Sequence, residues 1–279
     1  MIDSLQGAIE LRGGFKMPGY GYGCYKAEGE DLEKALLYAL NLGYRLVDTA
    51  AFYKNEATVG ATIKKSGIGR DQLFIVSKIW PSSFENARAA LDASLKALQL
   101  DYLDAYLLHW PGLDERARYH AWETLLRESE KGKIRMPGVS NFLEHHLESL
   151  HDNFKQWPGI NQIEVHPDFQ EFGLCNFCEK REIAIMSWSP LGRGNVLENP
   201  VLVEIGKKYN KTAPQVALRW QVQMAYVPLP KSVHDSRIRE NADIFDFTLS
   251  GEDMKAIKSL DLPDDRGRIG KNPDKWPVD

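Results

Sequence analysis

The chain has 279 residues, 43% hydrophobic and 27% charged, enough to bury a core and keep a solvated surface. A formal charge of −4 argues against nucleic acid or an anionic membrane as the main partner, and three cysteines are an odd number for a disulfide scaffold. No apolar run approaches the roughly 20 residues that span a bilayer, and the opening MIDSLQGAIE lacks the basic and apolar regions of a secretory signal, so a cytoplasmic location and no membrane partner are expected.

In chain order, AIELRGGFKMP reads as a small hairpin turning at Gly13-Gly14, placed to plug the bottom of a barrel. GYGYGCYK reads as a Gly-rich strand, followed by a helix over 31–43 with Leu32, Leu36, Ala39 and Leu40 on one face. A strand through Leu46 and Val47 leads into a helix over 58–65. The strand 73–78 leads into a helix on which Phe84, Leu91, Leu95 and Leu98 form a stripe. LDAYLLHW then leads into DERARYHAWETLLRESEKGK, KIRMPGVSN into LEHHLESLH, and INQIEVHP into EFGLCNFCEKRE. IAIMSWSP leads into ENPVLVEIGKKYN, a further helix opens at the capping box Thr212-x-x-Gln215, and AYVPLPKS leads into SRIRENADIF. Eight strand–helix units in regular alternation predict a parallel sheet closed into a (β/α)₈ TIM barrel of the α/β class, with an N-terminal β-hairpin and extra helices. No linker interrupts it, so residues 1–279 are expected to form a single domain.

Pro137 and Pro228 fall inside presumed strands, where each removes a ladder donor. Cys175 and Cys178 have the spacing of a redox or zinc pair. They lie in a helical stretch with no second ligand pair, which makes them small apolar fillers.

Catalytic groups in such barrels gather at the C-terminal strand ends. Read in order, those ends give Asp48, Lys78 and His109, each taken as the last residue of its strand, with Tyr53 in the loop after Asp48. A free phenol, with a pKa of about 10, is a poor proton donor at neutral pH. A neighbouring ammonium lowers that pKa, and a drop of roughly two units corresponds to about 2.7 kcal/mol. The ammonium needs a carboxylate to be buried, and Asp48 supplies one. His109, as a neutral imidazole, is suited to orient or polarise a carbonyl. The set suits protonation of a developing alkoxide and calls for a hydride source.

No Gly-x-Gly-x-x-Gly fingerprint occurs, which argues against a Rossmann domain. Instead Lys231, Ser232 and Arg237 place two cations and a hydroxyl between the eighth strand and the following helix, where barrels commonly bind phosphate.

Five segments in this order, GYRLVDTAAFYKNE, KIRMPGVSNF, NQIEVHP, SWSPLGRG and LPKSVHDSRIRENADIF, make the chain resemble the aldo-keto reductases over essentially its whole length. The resemblance implies NADPH-dependent reduction of aldehydes and ketones without a metal, by a monomer whose partner is a small-molecule carbonyl substrate. It makes Tyr53 the general acid, tuned by Lys78 paired to Asp48, with His109 orienting the carbonyl. Ser140, Asn141 and Gln162 would hold the nicotinamide carboxamide, and Trp188 would stack on its ring. Ser189 and the loop through Leu191, Gly192 and Gly194 would follow the cofactor to its pyrophosphate. Lys231, Ser232 and Arg237 would grip the 2′-phosphate, with Glu240 and Asn241 near the adenine.

Tyr25, Trp80 and Trp110 lie just beyond strand ends and are expected to line the substrate pocket. Tyr25 stands where the family often has tryptophan or phenylalanine. Met136-Pro137 replaces a usual small and aliphatic pair, which is expected to displace Ser140 and Asn141 slightly. The loop after His109 and the polar tail after Leu262 are short, as in the microbial 2,5-diketo-D-gluconate reductases and general aldehyde reductases. A shallow, tolerant site is therefore expected. Two rival readings remain at this point: a non-haem iron site built on His166-x-Asp168 with His234, and a binding protein that keeps the cofactor pocket without useful turnover.

Overall fold

The computed structural model describes residues 2–276. An antiparallel hairpin, β1 (Ala8–Glu10) with β2 (Lys16–Pro18), turns through Arg12–Gly14. The barrel follows: β3 (Gly21–Gly23), α1 (Gly29–Leu42), β4 (Leu46–Asp48), α2 (Glu56–Ser66), β5 (Phe74–Ile79), α3 (Ala87–Leu98), β6 (Leu103–Leu108) and α4 (Glu115–Glu130) form its first half. The second half comprises β7 (Ile134–Ser140), α5 (Glu144–Phe154), β8 (Ile160–Glu164), α6 (Phe172–Glu179), β9 (Ala184–Trp188), α7 (Pro200–Tyr209), α8 (Ala213–Gln223), β10 (Val227–Pro228), α9 (Asp235–Ala242) and α10 (Gly251–Lys258). Strands β3 to β10 form one parallel eight-stranded sheet in sequential order. The seam closes through Gly23 N–H to Pro230 C=O at 3.1 Å, so the expected barrel is present and nearly complete.

The seam explains the Gly-rich first strand. A Cβ on Gly21 would sit 2.4 Å from Leu46 Cδ2 and 2.6 Å from Leu229 Cδ2, so a side chain there would displace both leucines from the barrel interior. Both flagged prolines stay in strands. Pro137 pairs with Tyr106 in register, and its carbonyl still accepts from Gly159 N–H. Pro228 sits in a strand of only two residues.

The barrel interior and the helix layer form separate cores. Leu46, Phe74, Val76, Ala105, Leu107 and Met186 fill the interior, and Leu11 and Met17 from the hairpin segment join them, as the expected plug requires. Outside, α1 buries Leu32, Ala35, Leu36, Ala39 and Leu40, and each buried leucine contributes about 1.5–3 kcal/mol. The helix stops at Gly43, φ 110°, whose N–H returns to the carbonyls of Ala39 and Leu40. The Thr212 capping box opens α8 as expected, with Thr212 N–H on Gln215 Oε1 at 2.9 Å. Cys175 and Cys178 are buried, unpaired fillers in α6.

Helix α10 was not anticipated, although Ser250-x-x-Asp253 caps it: Ser250 Oγ accepts from Asp253 N–H. Among the described residues no helix is long and apolar enough to cross a membrane.

Candidate active site

Strand period explains what meets at the top of the barrel. Leu46, Val76, Leu107 and Met186 point inward, so residues two further on point inward one layer higher. Those residues are Asp48, Lys78, His109 and Trp188; Ser140 and Gln162 occupy the same layer from β7 and β8. Asp48 ends its strand as expected, whereas Lys78 is the penultimate residue of β5 and His109 lies one residue beyond β6. Side-chain alternation matters here more than the strand boundary.

Lys78 is fully buried and commits all three ammonium protons: to Asp48 Oδ2 at 2.8 Å, to the Thr49 carbonyl at 2.8 Å, and to Tyr53 Oη at 3.2 Å. Asp48 Oδ1 also accepts from Gln162 Nε2 at 2.8 Å. Removing one partner of such a buried pair costs about 3–5 kcal/mol, because the other charge is stranded. Tyr53 is half-buried, with Tyr25 (5.0 Å between ring centroids) and His109 (5.6 Å) beside it.

Two titrations follow. Burial, and then the nearby Lys78 charge, hold the His109 imidazole well below its ordinary 6.5, so it is neutral at physiological pH, as expected. The Tyr53 phenol moves the other way from expectation. Burial, and after it the Asp48 carboxylate, hold it well above 10.0. Lys78 and Asp48 face the phenol as a nearly neutral pair, so the cation alone does not set its acidity. Burial also lowers the Lys78 ammonium, against the pull of Asp48.

The four residues Asp48, Tyr53, Lys78 and His109, a tetrad, sit at the base of a cleft of about 580 Å³. Of the residues expected to bind substrate, Tyr25, Trp80, His109 and Trp110 all line it, as do Asp48 and Tyr53. Of those expected to bind cofactor, Ser140, Asn141, Gln162, Trp188, Ser189, Leu191 and Lys231 line it. Gly192 and Gly194 lie in the adjoining loop at φ 55° and 110°, outside the lining. Ser232, Arg237, Glu240 and Asn241 also lie outside the lining. Ser232 Oγ accepts from His234 N–H at 3.0 Å, Arg237 is exposed, and Glu240 accepts from Thr212 Oγ1 at 2.7 Å. Lys78 lies beneath the floor.

Asn141 is fixed from both ends. Its Nδ2 donates to the His109 carbonyl (2.9 Å) and Ser140 Oγ (3.1 Å), and its Oδ1 accepts from Trp188 Nε1 (2.8 Å). Strand β7 pairs in register with β8 through Ser140 and Gln162. The amide N–H groups of Asn141 already serve protein acceptors, and Gln162 gives one to Asp48. The acceptor oxygens left in this layer suit the NH₂ of a carboxamide, and Lys231 and Arg193 supply cations elsewhere in the cleft. The donor set fits a nicotinamide dinucleotide.

Several lining residues escaped the sequence reading. Phe52 stacks on Trp80 at 4.0 Å with 13° between the planes. Lys26 and Arg193 line the cleft in left-handed backbone (φ 57° and 51°), as do Asn141 and Ser189. The largest departure is the tail. Short as it is, the tail lines the cleft with Ile269, Gly270, Lys271 and Trp276. Buried Glu164 holds this segment, accepting from Ile269 N–H at 2.6 Å and Gly270 N–H at 2.9 Å.

Glu164 also engages His166 Nε2 at 3.1 Å. Among the described residues the group within joint metal-ligating reach is His145, His146 and Asp274, so the iron triad of His166, Asp168 and His234 is not assembled.

The aldo/keto reductase family model matches residues 19–262. The chain belongs to the aldo/keto reductase family. Among similar proteins, glyoxal reductase of Bacillus subtilis is 45% identical over 99% of both chains. Methylglyoxal reductase DkgA of Yersinia pestis is 40% identical, also over 99% of both. An aldo/keto reductase structure from Brucella melitensis is 41% identical with a TM-score of 0.88, covering 91% of this chain and 99% of that one. A mutant of Gox0644, solved in complex with NADPH, is 36% identical with a TM-score of 0.92 over 97% of this chain and 98% of the other. This reductase therefore shares both barrel and sequence with relatives along nearly its full length.

Proposed function

We propose that this reductase converts small aldehydes and ketones, 2-oxoaldehydes such as glyoxal and methylglyoxal foremost, to alcohols with NADPH, and that Tyr53 donates the proton. The observation that carries this is the contact of Tyr53 Oη with Lys78 Nζ at 3.2 Å, beside a neutral His109 at the floor of the cleft. The relatives named above supply the substrate class, as glyoxal and methylglyoxal reductases.

NADPH supplies the hydride when bound. Ser140, Asn141 and Gln162 would take its carboxamide, and Trp188 its ring. Ser189, Leu191, Gly192 and Gly194 would border its pyrophosphate. Lys231, Ser232 and Arg237 would take the 2′-phosphate, with Glu240 and Asn241 near the adenine.

The chain's own residues then manage one oxygen. Tyr53 O–H and the neutral His109 ring fix the substrate carbonyl by hydrogen bonds. As negative charge grows on that oxygen, the proton on Tyr53 Oη passes to it. The transfer still runs downhill, because an alkoxide is a far stronger base than a phenolate. The raised phenol pKa keeps the proton in place at rest, and Lys78 stabilises the phenolate left after transfer. Phe52, Trp80 and Trp110 exclude water from the reacting carbon.

The test is NADPH oxidation on addition of glyoxal or methylglyoxal. Turnover dependent on both reactants supports the proposal; no turnover with either aldehyde, or with simple aldehydes, overturns it.

A further inference from the structure

The cleft has a charge imbalance that carbonyl reduction of a neutral aldehyde does not use. Among the described residues lining it, Lys26, Arg193, Lys231 and Lys271 are cations, and Asp48 is the one carboxylate. Asp48 is neutralised by Lys78 and hydrogen-bonded by Gln162. The chain as a whole is acidic, at −4, so this cleft runs against the molecule's own balance. On the reading above Lys231 lies with the 2′-phosphate, and Arg193 sits between Gly192 and Gly194 in the loop that borders the pyrophosphate. Lys26 rests over the Tyr25 ring, 5.5 Å from its centroid. Lys271 remains.

Lys271 is exposed, and a solvated lysine on a loose tail would mean nothing. This tail is held on both sides of it. On one side Glu164 takes the N–H groups of Ile269 and Gly270, and a Cβ on Gly270 would meet the Trp188 indole at 2.5 Å. On the other side Asp274 reaches His145 Nε2 at 2.9 Å, and Trp276 packs on Trp110 with centroids 6.0 Å apart. Between these anchors the Lys271 ammonium lies 5.2 Å from the Trp276 ring centroid. Among the described residues no carboxylate forms an ion pair with it. Lys271, Trp276 and Trp110 line the same cleft as His109, which directly precedes Trp110 in the chain.

We propose that Lys271 forms an anion subsite of the substrate cleft, selecting carbonyl compounds whose carboxylate is separated from the reacting carbon by a ring or a short polar chain. The proposal rests on the reductase reading and deepens its substrate class. A carboxylate arriving there gains a charge-assisted hydrogen bond and aromatic walls for its spacer, whereas a neutral substrate of equal shape gains only the walls. Lys271 is a specificity residue in this scheme, with no part in the chemical step.

The experiment compares para-carboxybenzaldehyde with para-carbamoylbenzaldehyde, which differ in charge and little in shape. The readout is the ratio of their kcat/KM values with NADPH. Lys271→Gln should lower the ratio about fivefold, the scale of a solvent-accessible ion pair, and added salt should erode the wild-type ratio toward that of the variant. Lys271→Arg should keep it. An unchanged ratio in Lys271→Gln, or a ratio that falls in Lys26→Gln instead, overturns the assignment. A second arm needs no turnover. Benzoate and benzamide titrated into the full chain should differ in affinity by a similar factor, read from the tryptophans of the cleft, and Lys271→Gln should remove the difference. Equal binding of the two by the wild-type chain refutes the subsite. Failure of turnover with glyoxal and methylglyoxal as well as with both benzaldehydes refutes the reductase reading separately.

Discussion

Tyr53→Phe isolates one oxygen atom. In the structure Tyr53 Oη accepts from Lys78 Nζ at 3.2 Å, and the ring meets Tyr25 at 5.0 Å and His109 at 5.6 Å. Phenylalanine keeps the ring contacts. Lys78 keeps Asp48 and the Thr49 carbonyl and loses its longest bond, so the cost to folding is about 1 kcal/mol. The catalytic loss is much larger. A positioned general acid contributes about 10²–10⁴ in rate, or roughly 2.7–5.5 kcal/mol of barrier. The assay is kcat for methylglyoxal beside the NADPH dissociation constant and the urea midpoint, all on one preparation. The expected result is a kcat at least about a hundredfold lower, with NADPH affinity within about twofold of wild type. A kcat within tenfold of wild type would show that the proton comes from elsewhere. A parallel loss of NADPH binding would show that the variant disturbs the site rather than removing its acid.

Two further predictions concern charge. Arg237→Ala should raise the NADPH dissociation constant about tenfold while leaving that for NADH nearly unchanged, the loss of one charge-assisted contact; equal losses for both would misplace the 2′-phosphate site. Buried Asp253 ties α10 to α7: against the cost of burial, Lys208 (2.6 Å), Tyr209 (2.5 Å) and Ser250 (2.7 Å) hold its carboxyl at about 2 rather than 3.8. A depressed acid stabilises the fold above its unfolded pKa and loses that contribution as pH falls through the folded one. About 2 kcal/mol should therefore disappear between about pH 3.8 and pH 2, and Asp253→Asn should remove it already at neutral pH. Superimposable urea curves for wild type and variant at neutral pH would refute that role.

The barrel was legible because its signals are local and repeated. Each strand carries its own apolar run, and the two-residue period that buries Leu46, Val76 and Leu107 also brings Asp48 and His109 to the cleft, with Lys78 buried beneath them. Tyr25 and Trp80 follow from that rule, in phase with Gly23 and Lys78, whereas Tyr53 lies in the turn after β4 and Trp110 is one residue out of phase with His109. The tail was not legible. What places it is a Glu164 carboxylate taking backbone N–H groups more than a hundred residues later, and backbone donors leave no mark on the side-chain pattern. Phe52 escaped for a related reason, since its stacking on Trp80 joins two loops with no shared periodicity. Helix α10 did carry a sign in Ser250-x-x-Asp253. The Tyr53 shift runs against the expected direction because burial, and then the same Asp48 carboxylate that pairs with Lys78, acts on the phenol directly.

The central claim is that hydride and proton meet at one carbonyl above Tyr53. Its most direct measurement uses NADPH deuterated at the hydride-bearing carbon, with methylglyoxal and the wild-type chain, and locates the label in the product by NMR. The account predicts deuterium on the new carbinol carbon, in step with NADPH consumed. Cofactor consumed with no label on that carbon, or label released to water, would contradict it.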